Sequence, residues 1–396
     1  MPKILRIINR LNLGGPTYNA AYLTRHLAPE FETLMLAGTR QASEESSEYI
    51  VEGLGLPVRY IPAMHRELNF RRDFAAYRQI RKVIREFKPD IVHTHAAKAG
   101  ALGRLAAIAC GVSVVVHTFH GHVFHSYFSK AKTRMFLGIE RYLASRSSAI
   151  IALSGIQKME LCQQFRICDT GKCHVIPLGF DLARFSENMD DKRKAFRKLH
   201  HIAGDETAIG IIGRLTAIKD HRFFLDAFWE VQQKAGKKLK AVIVGDGEEL
   251  DNLKSHCETL GLTYALPDQT DPRADVIFTS WIMDVDRAVA GMDIVAMSSR
   301  NEGTPVSLIE AQAGGRAVVS TAAGGTADVV AHGTTGLLSE VGDKVAFCAN
   351  LLKLVTDEGL RKTLAMAGKP FATERFHYDR LVEDMRHLYH NLLIAR

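Results

Sequence analysis

The chain has 396 residues, a length that predicts about two domains at the usual ~150 residues each. Hydrophobic residues make up 46% and charged residues 24%, which excludes a disordered, collagen-like or coiled-coil chain. The longest apolar stretch, 105–116, is too short to cross a bilayer, and the amino terminus does not read as a signal peptide. Six scattered cysteines indicate no disulfide framework. We therefore expect a soluble cytoplasmic protein.

The charge is unevenly distributed along the chain. Residues 1–180 carry 24 Lys and Arg against 13 Asp and Glu, a balance of +11, whereas the remainder has a balance of −4. A basic half predicts an anionic partner, which can be nucleic acid, a phospholipid surface or a phosphorylated substrate. The stretch 127–146 places basic residues among aromatic and aliphatic ones. That pattern fits a helix on an anionic membrane surface or an ordinary amphipathic helix.

Short apolar runs alternate with helical patterns along the whole chain. The predicted strands are 4–8, 32–36, 58–61, 91–95, 112–118, 149–152 and 174–177, then 208–212, 240–244, 276–279, 294–297, 317–320 and 336–339. Continuous Val and Ile runs are typical of parallel strands buried on both faces. Two such series predict an α/β protein of two Rossmann-like domains with a cleft between them.

The predicted domain boundary lies in the turn-rich stretch around residue 180. We assign 1–180 to a first, acceptor-binding domain and 181–376 to a second, nucleotide-sugar-binding domain; the two roles rest on the resemblance given below. The last segment, 377–396, reads as a helix with apolar residues at Leu381, Met385, Leu388 and Leu392. This helix could pack back on the first domain.

The most informative stretch, 298–311, follows the predicted strand 294–297. It therefore lies at the carboxyl end of a strand, where open α/β sheets bind ligands. We predict Thr304 as the helix N-cap and Pro305 as the first helical residue. Free backbone N–H groups and the positive end of the helix dipole would then form an anion site.

Two acidic residues, Glu302 and Glu310, flank this predicted anion site. Carboxylates do not hold a phosphate, but they accept hydrogen bonds from sugar hydroxyls, and two acids fit two sugar rings. The alternative is a helix cap beside one solvated glutamate.

Basic and glycine-rich turns follow other predicted strands. Arg214 and Lys219 come after the strand 208–212 and could clamp a diphosphate, although a solvated basic loop is the alternative. Gly14 and Gly15 follow the first strand and would let the backbone approach a phosphate. They form neither a dinucleotide fingerprint nor a P-loop.

Possible metal ligands also occur in the first half. Its histidines include His93, His95, His117, His120, His122 and His125. Without an accompanying acid or cysteine, we favour sugar hydrogen bonding over a metal site. The spacing of the set Cys162, Cys168, Cys173 and His174 differs from that of a zinc knuckle, so we expect scattered structural thiols.

Taken together, these segments resemble the family-4 retaining glycosyltransferases of the GT-B fold over nearly the whole chain. The most specific element is Glu302 followed by Glu310 eight residues later. The Gly324-Gly325 loop, the Arg214 and Lys219 segment, the Gly14-Gly15 loop and His120-Gly121 fall in the family's order. The stretch 118–124 resembles members that act in bacterial surface polysaccharide and lipopolysaccharide assembly. In the GT-B fold, two Rossmann-like domains place their parallel sheets opposite each other across a cleft.

The resemblance implies roles for individual residues. Arg214 and Lys219 would hold the diphosphate, Glu302 the transferred sugar and Glu310 the ribose, while His120 would touch the sugar and Phe278 and Thr279 would cradle the base. The residues it implies as catalytic are His120, Arg214, Lys219 and Glu302. The nucleotide-sugar contacts would be Gly14, Gly15, Arg214, Lys219, Phe278, Thr279, Glu302, Gly303, Thr304, Pro305 and Glu310.

The sequence departs from the family pattern at three turns. The usual Lys-Gly of the phosphate clamp is Lys219-Asp220, the glycine-proline turn is Gly245-Asp246-Gly247-Glu248, and the common Glu-Gly-Phe-Gly is Glu302-Gly303-Thr304-Pro305. The third change keeps the carboxylate but removes an aromatic residue and a glycine. It bears on the identity of the donor sugar more than on the type of reaction.

The function that these observations imply is a retaining, metal-independent glycosyltransferase without a cofactor. It would move a sugar from a nucleotide sugar, with UDP favoured, to a lipid-linked or polysaccharide acceptor in cell-surface glycan biosynthesis. The partners expected are the UDP-sugar, that acceptor and an anionic membrane surface at the inner face, and no nucleic acid. Two alternatives are a non-hydrolysing UDP-sugar epimerase and a non-catalytic protein that binds anionic lipid or nucleic acid.

Overall fold

The computed structural model describes residues 1–11, 15–39, 47–65, 67–120, 130–269 and 271–395. Within them the chain divides into two compact units. The first comprises Met1–Phe180 together with Phe376–Arg396, and the second comprises Asp181–Arg375.

The first unit is built on a seven-stranded parallel sheet. Its strands are β1 (Lys3–Ile8), β2 (Glu32–Gly38), β3 (Val58–Ile61), β4 (Ile91–His95), β5 (Val114–Thr118), β6 (Ala149–Ala152) and β7 (Cys173–Val175). Their order across the sheet is β3-β2-β1-β4-β5-β6-β7. The order reverses between β1 and β4, which makes this pair the switch point where such sheets bind ligands.

The second unit repeats this architecture with a second seven-stranded parallel sheet. Its strands are β8 (Thr207–Ile212), β9 (Leu239–Val244), β10 (Tyr264–Ala265), β11 (Val276–Phe278), β12 (Ile294–Met297), β13 (Ala317–Thr321) and β14 (Leu337–Ser339). The order is β10-β11-β9-β8-β12-β13-β14, so the switch point lies between β8 and β12. Every predicted strand is present with ends shifted by at most two residues, and β10 is additional.

Helices connect the strands. They are α1 (Gly15–His26), α2 (Glu48–Gly53), α3 (Phe70–Phe87), α4 (Ala97–Ala109), α5 (Lys130–Ser145), α6 (Gly155–Met159), α7 (Met189–Leu199), α8 (His221–Lys234), α9 (Leu250–Leu260), α10 (Val285–Gly291), α11 (Val306–Ala313), α12 (Thr326–Val329), α13 (Lys344–Thr356), α14 (Glu358–Phe376) and α15 (Tyr378–Ile394). A π-helical turn, Glu160–Gln164, follows α6, and a 3-10 turn, Ala183–Phe185, precedes α7. No helix among the described residues is long and apolar enough to span a membrane.

The carboxyl-terminal helix α15 is part of the first unit. Its buried residues Leu381, Met385 and Tyr389 join strand residues such as Ile4 and Val116 in one hydrophobic cluster. The chain enters this helix beside Phe180, whose N–H donates to Phe376 and whose carbonyl accepts from Tyr378. Burial of this apolar face contributes roughly 25 cal/mol per Å² of surface removed from water.

Candidate functional site

The loops after β8 and β12 lie at the switch point of the second sheet. β8 pairs with β12 in parallel, so the loop 213–220 and the loop 298–305 start at the same edge of the sheet. These are the two segments that the sequence predicts to bind a ligand. The Arg300 N–H donates to the Ile218 carbonyl, and the Ser298 hydroxyl donates to the Lys219 and Asp220 carbonyls. The two loops therefore support each other.

The neighbouring glycine turn fixes the first of these loops. Gly245 and Gly247 have φ values of +144° and +156°, which favour glycine. A Cβ on Gly245 would lie 2.0 Å from the carbonyl oxygen of Gly213, and one on Gly247 would lie 2.4 Å from that of Leu215. The backbone of the turn thus packs directly against the backbone on either side of Arg214.

Asp220 occupies the position where the family usually has glycine. Its φ is +50°, in the left-handed region that favours glycine and also admits aspartate. Its side chain accepts a hydrogen bond from the Phe223 N–H at the start of α8. It also forms an ion pair with Arg300, at 2.7 Å. The departure from the family pattern therefore places an aspartate in a left-handed conformation and adds a helix cap.

Lys219 and Glu302, predicted separately, form an ion pair. The Lys219 Nζ donates to Glu302 Oε1 at 2.6 Å, and the two side chains are 29% and 9% exposed. A nearly buried carboxylate requires such a partner, because an unpaired charge there would be costly. The pair leaves one cation and one carboxylate together at the edge of the sheet.

The Gly324-Gly325 loop holds Glu302 in place. Gly324 has a φ of +53°, and a Cβ there would lie 2.0 Å from the Glu302 carbonyl oxygen. The Gly325 N–H donates to the same carbonyl at 3.1 Å. Only glycine allows this close approach of the two loops.

The predicted helix start is wrong by one residue. Pro305, not Thr304, is the N-cap of α11, because its ψ of 93° lies outside the helical range, and Val306 is the first helical residue. The N–H groups of Val306 and Ser307 belong to the first turn and have no acceptor within the helix. They still form the positive end of the helix dipole beside Glu302 and Gly303.

Glu310 lies on the second turn of α11 and is largely buried, with 16% of its side chain exposed. Burial raises the pKa of its carboxyl to about 7, against the opposing effect of Arg184. The Arg184 guanidinium lies 4.0 Å away. Arg184 was missed by the sequence analysis, because nothing in the sequence relates a 3-10 turn after the domain boundary to this helix.

The other predicted contacts of the second unit differ in exposure. Arg214 is exposed at the sheet edge. Phe278 is 2% exposed, and its ring packs edge-on against Tyr264 in the core, so its side chain is not at the surface where a base would lie. Thr279 is 9% exposed and donates its hydroxyl to the Ser280 carbonyl at 3.0 Å. A base at this position would meet the backbone after β11.

In the first unit, His120, two residues beyond the end of β5, forms a pair with His95, the last residue of β4. His95 Nδ1 and His120 Nε2 share a hydrogen bond of 2.9 Å. Among the described residues, His120 Nδ1 has no hydrogen-bond partner. Burial lowers the pKa of His120 to about 3, so the ring is neutral at physiological pH. His120 Nδ1 is itself buried, so its capacity for one more hydrogen bond is unused among the described residues.

His93 and His117 are buried within the sheet. His93 bonds to the Tyr389 hydroxyl at 2.6 Å and to the Thr118 hydroxyl at 2.7 Å, and His117 bonds to the Thr94 hydroxyl at 2.9 Å. These two rings are parts of the core. Gly14, Gly121, His122 and His125 lie outside the described residues, whereas Gly15 begins α1.

The expectation of scattered thiols is wrong for three cysteines. The Sγ atoms of Cys162, Cys168 and Cys173 lie within 4.8 Å of one another. The described residues contain no other group of three or more potential metal-ligating side chains that meets the same distance criterion.

Two family models match consecutive parts of the chain. The one described as Glycosyltransferase Family 4 matches residues 13–184, and the one described as Glycosyl transferases group 1 matches residues 206–357. Together they cover most of both units.

Similar proteins span nearly the full length. The UDP-Gal:alpha-D-GlcNAc-diphosphoundecaprenol alpha-1,3-galactosyltransferase of Escherichia coli is 27% identical over 85% of this chain and 84% of its own length. The capsular polysaccharide biosynthesis glycosyltransferase CapM of Staphylococcus aureus is 24% identical over 82% of this chain and 84% of its own.

A similar solved structure is that of HepE from Anabaena in complex with UDP. It has a TM-score of 0.81 and 21% identity, covering 98% of this chain and all of its own. This likeness supports the fold predicted from the sequence, with two Rossmann-like domains. The chain belongs to the family-4 glycosyltransferases and is a glycosyltransferase of the GT-B fold.

Proposed function

We propose that the protein is a retaining glycosyltransferase that moves a sugar from a UDP-sugar to a lipid-linked or polysaccharide acceptor in bacterial cell-surface glycan biosynthesis. The observation that carries the proposal is the Lys219–Glu302 pair, 2.6 Å long, at the switch point of the second sheet. It combines a cation for the diphosphate with a carboxylate for the sugar.

The UDP-sugar assignment rests on the site and on similar proteins. Arg214 and Lys219 lie on the loop after β8, and Lys219 pairs with Glu302 shortly before α11, so two cations and a helix dipole belong to the same switch point. HepE was solved with UDP and with UDP-glucose, and the Escherichia coli relative is described as using UDP-Gal. Glu310, on the same helix, is assigned to the ribose hydroxyls.

The proposed metal independence is supported by the same charges. As the glycosidic bond breaks, negative charge grows on the leaving diphosphate, and Arg214, Lys219 and the α11 dipole stabilise it without Mg²⁺. Glu302 holds the transferred sugar through its hydroxyls. The leaving phosphate helps to deprotonate the acceptor, which attacks the same face and so retains the anomeric configuration.

We assign the acceptor to the first unit. His120 of the same unit carries a neutral imidazole held by His95, and by the resemblance it would give the transferred sugar a hydrogen bond without introducing charge. The Escherichia coli relative is named for an acceptor that carries GlcNAc on a diphospholipid. An acceptor of this class joins a sugar to a lipid, which fits transfer at a membrane surface.

Helix α5 provides a surface suited to such a membrane. Met135, Ile139 and Tyr142 are 55%, 40% and 51% exposed and recur at helical spacing on one side. Lys132 and Arg134 are also exposed on this helix. Apolar side chains beside basic ones are the pattern of helices that lie on anionic bilayers.

The proposal is tested in two steps. A thermal-shift panel of UDP, GDP, ADP and their sugars identifies the donor, since a nucleotide at 100 times its Kd stabilises the folded state by ~2.7 kcal/mol. Radiolabelled transfer with the selected UDP-sugar to a GlcNAc-diphospholipid then tests the reaction. We expect stabilisation by UDP compounds and transfer that requires the acceptor. Interconversion of the UDP-sugar without acceptor identifies an epimerase, and UDP binding without any turnover identifies a non-catalytic binder; either result refutes the proposal.

A further inference from the structure

Three cysteines of the first unit converge although several residues separate each from the next. Cys162, Cys168 and Cys173 have Sγ atoms within 4.8 Å of one another. All three are free thiols; Cys173 is buried, and the other two are half-buried. A pair of thiols suffices for a disulfide, whereas three thiols this close together can form a set of metal ligands.

The backbone between them is shaped to bring the thiols together. Cys162 lies in the π-helical turn Glu160–Gln164, a rare conformation that is frequent at functional sites. The Phe165 N–H closes this turn onto the Glu160 carbonyl at 2.8 Å. Arg166 then adopts a left-handed φ of +50°, which reverses the chain toward Cys168.

Long basic side chains fix this loop from outside. The Arg141 guanidinium donates to the Phe165 carbonyl at 2.7 Å and to the Arg166 carbonyl at 3.1 Å. The Lys172 Nζ donates to the Ala144 and Ser145 carbonyls, each at 3.2 Å. The cysteine loop is therefore held to α5 before any ligand binds, which lowers the entropy that binding must remove.

The surroundings suit thiolates that share a cation. Cys162 and Cys168 line a surface pocket together with Arg166 and Lys172, whose positive charges offset thiolate charge. On the inner side, the cysteines adjoin the apolar cluster that contains Leu161 and Phe165. Cys173 is the first residue of the edge strand β7, at the amino end of the sheet, whereas His120 lies beyond a carboxyl end. The cluster is thus separate from His120.

We propose that Cys162, Cys168 and Cys173 bind one Zn²⁺ ion through three thiolates. In a tetrahedral site, zinc–sulfur bonds of about 2.3 Å place the sulfur atoms about 3.8 Å apart. The Sγ atoms lie within 4.8 Å of one another, so side-chain rotations that move each sulfur by about 1 Å or less suffice. A water molecule on the pocket side completes the usual four ligands. Binding releases one proton from each thiol that is protonated beforehand, up to three per zinc. The ion ties the loop after α6 to the edge strand β7.

Cobalt substitution tests the site directly on the full-length protein. Reduced, chelator-treated protein is titrated with Co²⁺ under anaerobic conditions. We expect one equivalent to give thiolate-to-cobalt charge-transfer absorption and the intense visible bands of tetrahedral cobalt. Added Zn²⁺ then abolishes these bands and protects three of the six cysteines from a thiol reagent.

Single substitutions assign the ligands. Cys162→Ser and Cys168→Ser, both at half-buried positions, should each weaken Zn²⁺ affinity by more than the ~10–100-fold typical of a partner outside the ligand set. Cys110→Ser is the matched control, because Cys110 is also half-buried but lies on another loop, and it should leave the titration unchanged. Circular dichroism confirms that each variant is folded.

Three results would overturn the proposal. One is the absence of charge-transfer bands in the folded, reduced parent. Another is persistence of these bands in both Cys162→Ser and Cys168→Ser. The third is a disulfide between two of the three cysteines, found by mass spectrometry in protein that binds no Co²⁺ when reduced, because it would assign the cluster to redox chemistry instead.

Discussion

Acidification should destabilise the first unit strongly, because this unit buries four neutral histidines. His93, His95 and His117 are fully buried, and His120 is largely buried. Burial lowers their pKa values well below 6.5, to about 3 for His120, and the nearby charge of Arg6 lowers that of His93 further. In the unfolded chain, the same rings take up protons below about pH 6.5.

The size of the effect follows from proton linkage. The unfolded state binds more protons than the folded state, so stability falls as pH drops below ~6.5 and continues to fall down to the folded-state pKa. At about pH 5.5, each buried ring lowers the free energy of unfolding by RT ln 11, about 1.4 kcal/mol, and four rings lower it by roughly 6 kcal/mol. This is comparable to the total stability of an ordinary domain, roughly 5–15 kcal/mol.

Urea unfolding at a series of pH values between about 7.5 and 5.5 measures this slope. Trp229 and Trp281, the two tryptophans of the chain, both lie in the second unit, so fluorescence follows that unit while far-ultraviolet circular dichroism follows both. We expect the stronger pH dependence in the circular dichroism transition. His117→Gln should remove about 1.4 kcal/mol per pH unit from the slope below about pH 6, whatever it costs at neutral pH.

A circular dichroism transition that does not move between the two pH limits would refute the reasoning. So would a His117→Gln slope equal to that of the parent.

Four further predictions concern the site and the membrane. Lys219→Ala should lower turnover by about 10²-fold or more, because a lost transition-state donor costs ~3 kcal/mol, whereas Lys238→Ala, at a 73% exposed side chain, should not. Activity should persist in excess EDTA, and loss that Mg²⁺ or Mn²⁺ restores would contradict the cationic clamp. Gly324→Ala should destabilise the protein, as measured by urea unfolding, by more than Gly333→Ala, because both glycines have positive φ but a Cβ meets a carbonyl oxygen only at Gly324. Flotation should show binding to anionic vesicles that fades as salt rises, at roughly 1 kcal/mol per basic residue; equal binding to neutral vesicles, or none to either, would contradict it.

Much of the fold can be predicted from the sequence, because buried parallel strands consist largely of continuous Val and Ile runs. The strands 58–61, 91–95, 149–152 and 294–297 have the same limits in the structure. The sequence does not predict β10, because its two residues, Tyr264 and Ala265, are too few to show a periodic pattern. These are local signals, and each is read within a window of a few residues.

The contacts that depend on distant segments could not be read in this way. Lys219 and Glu302 could each be predicted as ligand-binding, but not as partners, because strand order alone brings β8 beside β12. The helix start was misplaced because the backbone of Pro305 stays extended, which the residue type does not settle. The cysteine cluster depends on a π-helical turn and on the left-handed conformation of Arg166. Rules based on the spacing of cysteines predict neither feature.

UDP titration calorimetry on two glutamine variants tests the central claim most directly, at about pH 8, where the Glu310 carboxyl is mostly ionised. Glu302→Gln still accepts a hydrogen bond from Lys219, so it should bind UDP like the parent while transfer falls. Glu310→Gln should weaken the affinity for UDP by about tenfold or more, because a charge-assisted hydrogen bond contributes about 1.5–3 kcal/mol. If both variants bind UDP and transfer sugar like the parent, the assignment of Glu302 and Glu310 to the donor is wrong.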